Sequence, residues 1–130
     1  MKTKYAVALA MLSGVAIGGI SVGGLYAQNR TPGAYAIVAF SDTGDPAAFK
    51  TNVLDKAPDA VKKHGGHFIA RTNEITVLRA AEPQLKRYVI ITFDDVQKAK
   101  SWYGSEDMKA INSYNDQHTK GRAFIVPAAQ

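Results

Sequence analysis

The 130-residue chain contains no cysteine. That excludes disulfides, thiolate nucleophiles, cysteine-based metal sites and a lipoprotein anchor. Histidine is scarce: His64, His67 and His118 are the full set. A zinc site takes three or four ligands, and no third ligand accompanies His64 and His67, so no metal is expected. Charge is absent from Tyr5 through Ala27. The chain also lacks G-x-S-x-G, a P-loop, a dinucleotide fingerprint and H-E-x-x-H, and with them the reactions those arrangements serve. No cofactor is implied. The pairs Gly18-Gly19 and Gly23-Gly24 lie inside the uncharged stretch and cradle no phosphate.

What is present begins with that stretch. Lys2 and Lys4 precede it and a small residue, Ala27, closes it, the pattern of a secretory signal. The run is also long enough to cross a bilayer, for which about 20 residues suffice. Residues 1–27 are therefore read as a signal peptide or a membrane anchor. In either case the basic start favours a cytoplasmic N-terminus and an exported remainder, periplasmic or secreted. A membrane is a partner only if the segment is retained. Residues 28–33 form a polar linker, and residues 34–130 form one domain.

The net charge of +5 includes Lys2 and Lys4. The remaining basic residues are scattered among acidic ones, which reads as a solvated surface and not as a nucleic-acid footprint.

Hydrophobic patterning gives the elements. Residues 34–40 read as an apolar strand. Asp45-Pro46 starts a helix, with an acidic N-cap and proline in the first turn. Phe49, Val53, Ala57, Ala60, Val61 and His64 recur at helical spacing. Pro58 cannot donate to Leu54, so a kink is expected there, and Gly65 is a natural left-handed terminator. Residues 67–71, 74–79 and 87–93 read as strands. Asp94 and Gln97 fit a capping box for the helix through Trp102-Tyr103. A further helix runs from Glu106 to about Thr119, Gly121 breaks it, and residues 122–127 are the last strand. The expected fold is α+β: a ferredoxin-like βαββαβ sandwich, with a four-stranded antiparallel sheet and helices on one face.

Strand alternation sorts the candidate residues. Val38, Phe40, Val89, Ile91 and Phe93 face the helices. Tyr35, Ile37, Tyr88 and Ile90 then share the open face with His67, Ile69 and Arg71. An apolar open face marks an interface, and a second copy packed sheet to sheet is the expected partner. The same face, apolar with a few polar groups, suits a small molecule. Arg71 could hold a carboxylate; it could equally pair with Glu74 or across the dimer. His67 and Tyr35 are the candidates for moving a proton. Tyr88 would line the pocket, and Trp102 would either wall it or belong to the core.

The turn His64-Gly65-Gly66-His67, Arg71, the strand over 89–93 and the run from Ala99 through Trp102-Tyr103-Gly104-Ser105 resemble domain-of-unknown-function family 1330. The resemblance covers residues 34 to about 127. It implies the dimeric α/β barrel superfamily. The family's usual members carry a tyrosine at the position of Met108 and an arginine at that of Asn115, so the resemblance implies an anion site of which this chain keeps Arg71 alone. Two functions are expected from these observations. One is a homodimeric module that binds a small carboxylate or aromatic ligand. The alternative is a cofactor-independent enzyme, monooxygenase-, isomerase- or dehalogenase-like, acting on a small acidic or aromatic substrate.

Overall fold

Residues 31–79 and 84–129 are described by the structure, a computed structural model. The expected signal or anchor at residues 1–27 lies outside the described residues. Four strands, β1 (Ala34–Asp42), β2 (His67–Thr72), β3 (Arg87–Phe93) and β4 (Lys120–Pro127), form one sheet in the order β2-β3-β1-β4. Every neighbouring pair is antiparallel. The helices are α1 (Pro46–Phe49), a π-helical segment (Lys50–Leu54), α2 (Ala57–Lys63), α3 (Val96–Tyr103) and α4 (Glu106–His118). This is the ferredoxin-like α+β sandwich expected from the sequence.

The core lies between the helices and one face of the sheet. Phe40, Val89, Ile91 and Phe93 meet Phe49, Val53, Val61, Trp102, Met108 and Ile111 there. Each such side chain contributes about 1.5–3 kcal/mol by leaving water. Phe40 and Phe49 pack edge to face at 5.2 Å, and Phe93 lies 5.4 Å from Trp102.

Local chemistry explains the ends of the helices. The Asp45 carboxylate accepts from the Ala48 N–H at 2.9 Å, and Pro46 fills the first turn, as expected. The cap of α3 is Asp95, one residue later than the anticipated Asp94; its carboxylate accepts from the Lys98 N–H at 2.8 Å. Gly65 adopts φ 81°, the left-handed geometry of a helix terminator. Gly66 is glycine for a different reason: a Cβ there would sit 2.8 Å from the Phe93 ring. His64 caps α2 and meets Asp107 of α4 at 3.2 Å, tying the two helices together.

Pro58 does more than kink a helix. The helical run divides into α1, the π-helical segment and α2, with Pro58 in the first turn of α2. The Asp55 N–H reaches back five residues to the Lys50 carbonyl at 2.9 Å. The Leu54 carbonyl, denied a donor at position 58, accepts from Arg71 Nη2 at 2.6 Å.

Two expectations are corrected. Residues 74–79 are not a strand. The Glu74 N–H donates to Thr72 Oγ1 at 2.8 Å, a side-chain turn that closes β2, and Val77 and Leu78 are left exposed. Apolar alternation makes a strand only where a neighbouring strand pairs with it, and residues 74–79 pair with none of the four strands. Gly121 is not a helix breaker but a residue of β4. Helix α4 ends at His118, where Thr119 Oγ1 and N–H both donate to the Asn115 carbonyl. A Cβ at Gly121 would collide with the Ala39 carbonyl oxygen on β1.

Candidate functional site

The sheet separates the sequence-derived candidates onto two faces. Across the strands, His67 aligns with Thr92, Tyr35 and Val126; the next row with the same parity is Ala70, Ile90, Ile37 and Phe124. Tyr88 follows, between Thr72 and Ala39. His67, Tyr35 and Tyr88 therefore stand on the open face, as expected.

Arg71 does not join them. The pairing of β2 with β3 passes from Phe68↔Ile91 directly to Ala70↔Ile90, so Ile69 is an extra residue in a β-bulge. Ile69 is 59% exposed. Beyond it the alternation is inverted: Arg71 aligns with Val89 and Val38, on the helix side. Strict period-two counting put Arg71 on the open face; one inserted residue moves it through the sheet.

There Arg71 lines a cavity of ≈ 60 Å³ between the sheet and the helices. Its guanidinium stacks over the Phe68 ring at 4.9 Å while Nη2 donates to the Leu54 carbonyl, so two contacts fix its direction. Trp102 lines the same cavity. It is core and wall at once, 2% exposed.

A second arginine completes the arrangement. Arg87, the first residue of β3, shares the parity of Val89, Ile91 and Phe93 and lines the cavity too. Its Nη1 donates to Asn73 Oδ1 at 3.0 Å. Burial lowers the Arg87 guanidinium from its ordinary value, and the positive charge of Arg71 lowers it further. It stays charged at neutral pH. Sequence reading passed over Arg87 as a strand boundary. The signal was its parity with the core residues that follow it.

The remaining lining is apolar, with Asn112, Asn115 and Tyr103 as the other polar residues; among the described residues no Asp, Glu or His lines it. Asn112 Nδ2 donates to the Tyr103 carbonyl at 2.9 Å and holds α4 against the end of α3. Burial raises the Tyr103 phenol above its ordinary value, and nearby Asp116 raises it further, so it holds its proton at neutral pH.

Three buried side-chain polar atoms among the described residues have no hydrogen-bond partner: Arg87 Nε, Trp102 Nε1 and Asn115 Oδ1. All three residues line this one cavity. A buried polar atom left unpaired costs about 1–3 kcal/mol. The three atoms belong to residues of one cavity wall, which also carries the pair of like charges.

Comparison with known proteins follows the geometry. Residues 33–129 match the family described as a domain of unknown function, DUF1330. Among curated proteins none matches. Of the solved structures, SnoaB from Streptomyces nogalater, a cofactor-independent oxygenase, is similar at 16% identity and a TM-score of 0.52, over 77% of this chain and 96% of that one. RPA0582 from Rhodopseudomonas palustris, a protein of unknown function, is similar at 10% identity and a TM-score of 0.53, over 85% of this chain and 93% of that one. Its methylated form gives 9% and 0.56 over 85% and 91%. At these identities the likeness is one of fold.

Proposed function

We propose, for a chain that belongs to the DUF1330 family, a binding function: the domain holds a small organic anion in the cavity between its helices and its sheet. The observation that carries this reading is that Arg71 and Arg87 line one space, together with residues that hold three unpartnered buried atoms, and that among the described residues no carboxylate lines it. An anion there relieves the repulsion between the guanidiniums and satisfies Arg87 Nε, while the apolar lining takes the ligand's carbon body. Arg71, Arg87 and Trp102 are the ligand-binding residues. His67, Tyr35 and Tyr88, on the opposite face, belong to the subunit contact. Binding without turnover is favoured over the enzymatic alternative because the described lining residues include no histidine or carboxylate base and Tyr103 keeps its proton.

Calorimetric titration with benzoate and butyrate tests this directly. Binding weakens about tenfold in Arg71→Gln, the loss of one charge-assisted contact. It is unchanged in His67→Gln. Equal effects of both substitutions, or an effect of His67→Gln alone, would return the site to the open face.

The reading includes a homodimer. The open face carries Ile37, Ile90, Tyr88, Phe124 and Val126, and a second copy packed against it would remove this apolar surface from water. Light scattering at micromolar concentration is expected to give twice the chain's mass; a stable monomer would refute the pairing. The pattern of residues 1–27 supports an exported domain, periplasmic or secreted.

A further inference from the structure

We infer that the anion cavity opens between α4 and β4, past Tyr103, and that its ligand is an extended, medium-chain carboxylate reaching from the arginines to that opening. This rests on the reading of the cavity as an anion site and goes beyond it. The sheet register supplies the axis. On the helix side Arg71, Val89, Val38 and Ala123 align in one row from β2 to β4, and Arg87, Phe40 and Gly121 align in the next. Neighbouring strands lie about 4.8 Å apart, so the row from Arg71 to Ala123 spans about 14 Å. Charge stands at one end of these rows, apolar side chains in the middle, and the smallest residues at the other end. Gly121 and Ala123 have the parity of core residues, yet both are exposed. The helical layer does not cover the sheet there. A space of ≈ 390 Å³ lies at that end, lined by Asn115 and Asp116 of α4 and by Gly121 and Ala123 of β4. It shares Val38, Phe40, Tyr103, Asn115 and Ala123 with the inner cavity of ≈ 60 Å³, so the two spaces adjoin. Tyr103 stands where they meet. It lines both and is 39% exposed, and it lies near Asp116, which lines the outer space and not the inner. A short acid occupies the arginine end alone. Each further methylene leaves water along Val89, Val38 and Tyr103, and the far end of the chain reaches the polar lining beside Asp116.

The test is calorimetric titration of the full chain with butyrate, hexanoate and octanoate. Burying one methylene is worth up to about fourfold in affinity. Octanoate is therefore expected to bind about tenfold or more tightly than butyrate. The ratio between the two is the readout. Ala123→Phe places a ring in the opening, at an exposed strand position where an aromatic side chain is well accepted, and is expected to bring the ratio to about one. A second measurement needs no substitution, so it decides if that variant fails to fold. In isotopically labelled protein octanoate moves the amide resonances of Gly121 and Ala123, and butyrate leaves them in place. Equal binding of the three acids, with all of them weakened in Arg87→Leu, overturns the extended ligand while the anion site stands. A preference for octanoate that survives Ala123→Phe, or that comes without shifts at Gly121 and Ala123, overturns the opening at β4. Failure of every acid to bind overturns both readings.

Discussion

Arg87→Leu weakens binding of a small carboxylate by about 100-fold, while the stability of the free protein stays level or rises. The two halves of this result have one cause. Arg87 lies half-buried beside Arg71, its Nε has no partner, and its charge is disfavoured first by burial and then by its neighbour. In the empty site that is a cost. In the bound site Nε supplies a charge-assisted hydrogen bond from a position screened from water. Losing a hydrogen bond to a charged group costs about 1.5–3 kcal/mol, which corresponds to roughly 10–150-fold in affinity. The upper part of that range is expected because the atom is buried. Replacing a buried, poorly paired charge by an apolar side chain is often neutral or stabilising, and the contact surrendered, to exposed Asn73, is worth little. Calorimetry and urea unfolding check the two halves separately. A variant that binds as the wild type does, or that loses binding only because it unfolds, contradicts this account of Arg87. Arg87→Lys does not rescue binding fully, since an ammonium lacks the fork and the Nε.

Gly121→Val destabilises the domain by about 3 kcal/mol or more, although the position is exposed. Gly121 is solvent-exposed in β4 and pairs with Phe40 in β1. Accessibility alone would make it a harmless site. The obstacle is backbone: a Cβ there meets the carbonyl oxygen of Ala39 and lies 3.0 Å from the Cα of Phe40. Neither atom can give way without displacing β1, the central strand that joins the two halves of the sheet. Overpacking against side chains costs about 1–3 kcal/mol, and a clash with backbone exceeds the middle of that range. Urea denaturation with an unchanged slope and a lowered midpoint is the expected signature. A loss below about 1 kcal/mol would mean that β4 shifts freely along β1.

The legible and illegible parts of this chain divide along physical lines. The strands at 34–40 and 87–93, the Asp45-Pro46 start and the Gly65 stop are written in local chemistry, and the structure has each where the sequence places it. Pro58 announced a carbonyl without its helical donor at Leu54; that Arg71 would fill the vacancy is a tertiary fact, set by how β2 packs under the helices. The bulge at Ile69 leaves no local mark. One additional residue in a strand changes no composition and breaks no apolar run, yet it reverses the face of everything after it. Arg71 was recognised as important and placed on the wrong side for that reason. Arg87 was readable in principle, since it alternates in step with Val89, Ile91 and Phe93, but a charged residue at a strand's end looks like a boundary. The family's arginine at the position of Asn115 suggested that Arg71 had lost its companion. The structure puts Asn115 in the same cavity and supplies Arg87 as the companion.

Trp102 gives the most direct test of the central claim, that the ligand enters between helices and sheet and not against the open face. It is the only tryptophan in the chain, so it yields a single indole N–H resonance. Titrating isotopically labelled protein with benzoate is predicted to move that resonance strongly and saturably, along with the Arg87 Nε–H, while the His67 ring signals stay in place. An indole resonance that does not move, with shifts gathered at His67, Tyr35 and Tyr88, would contradict the account.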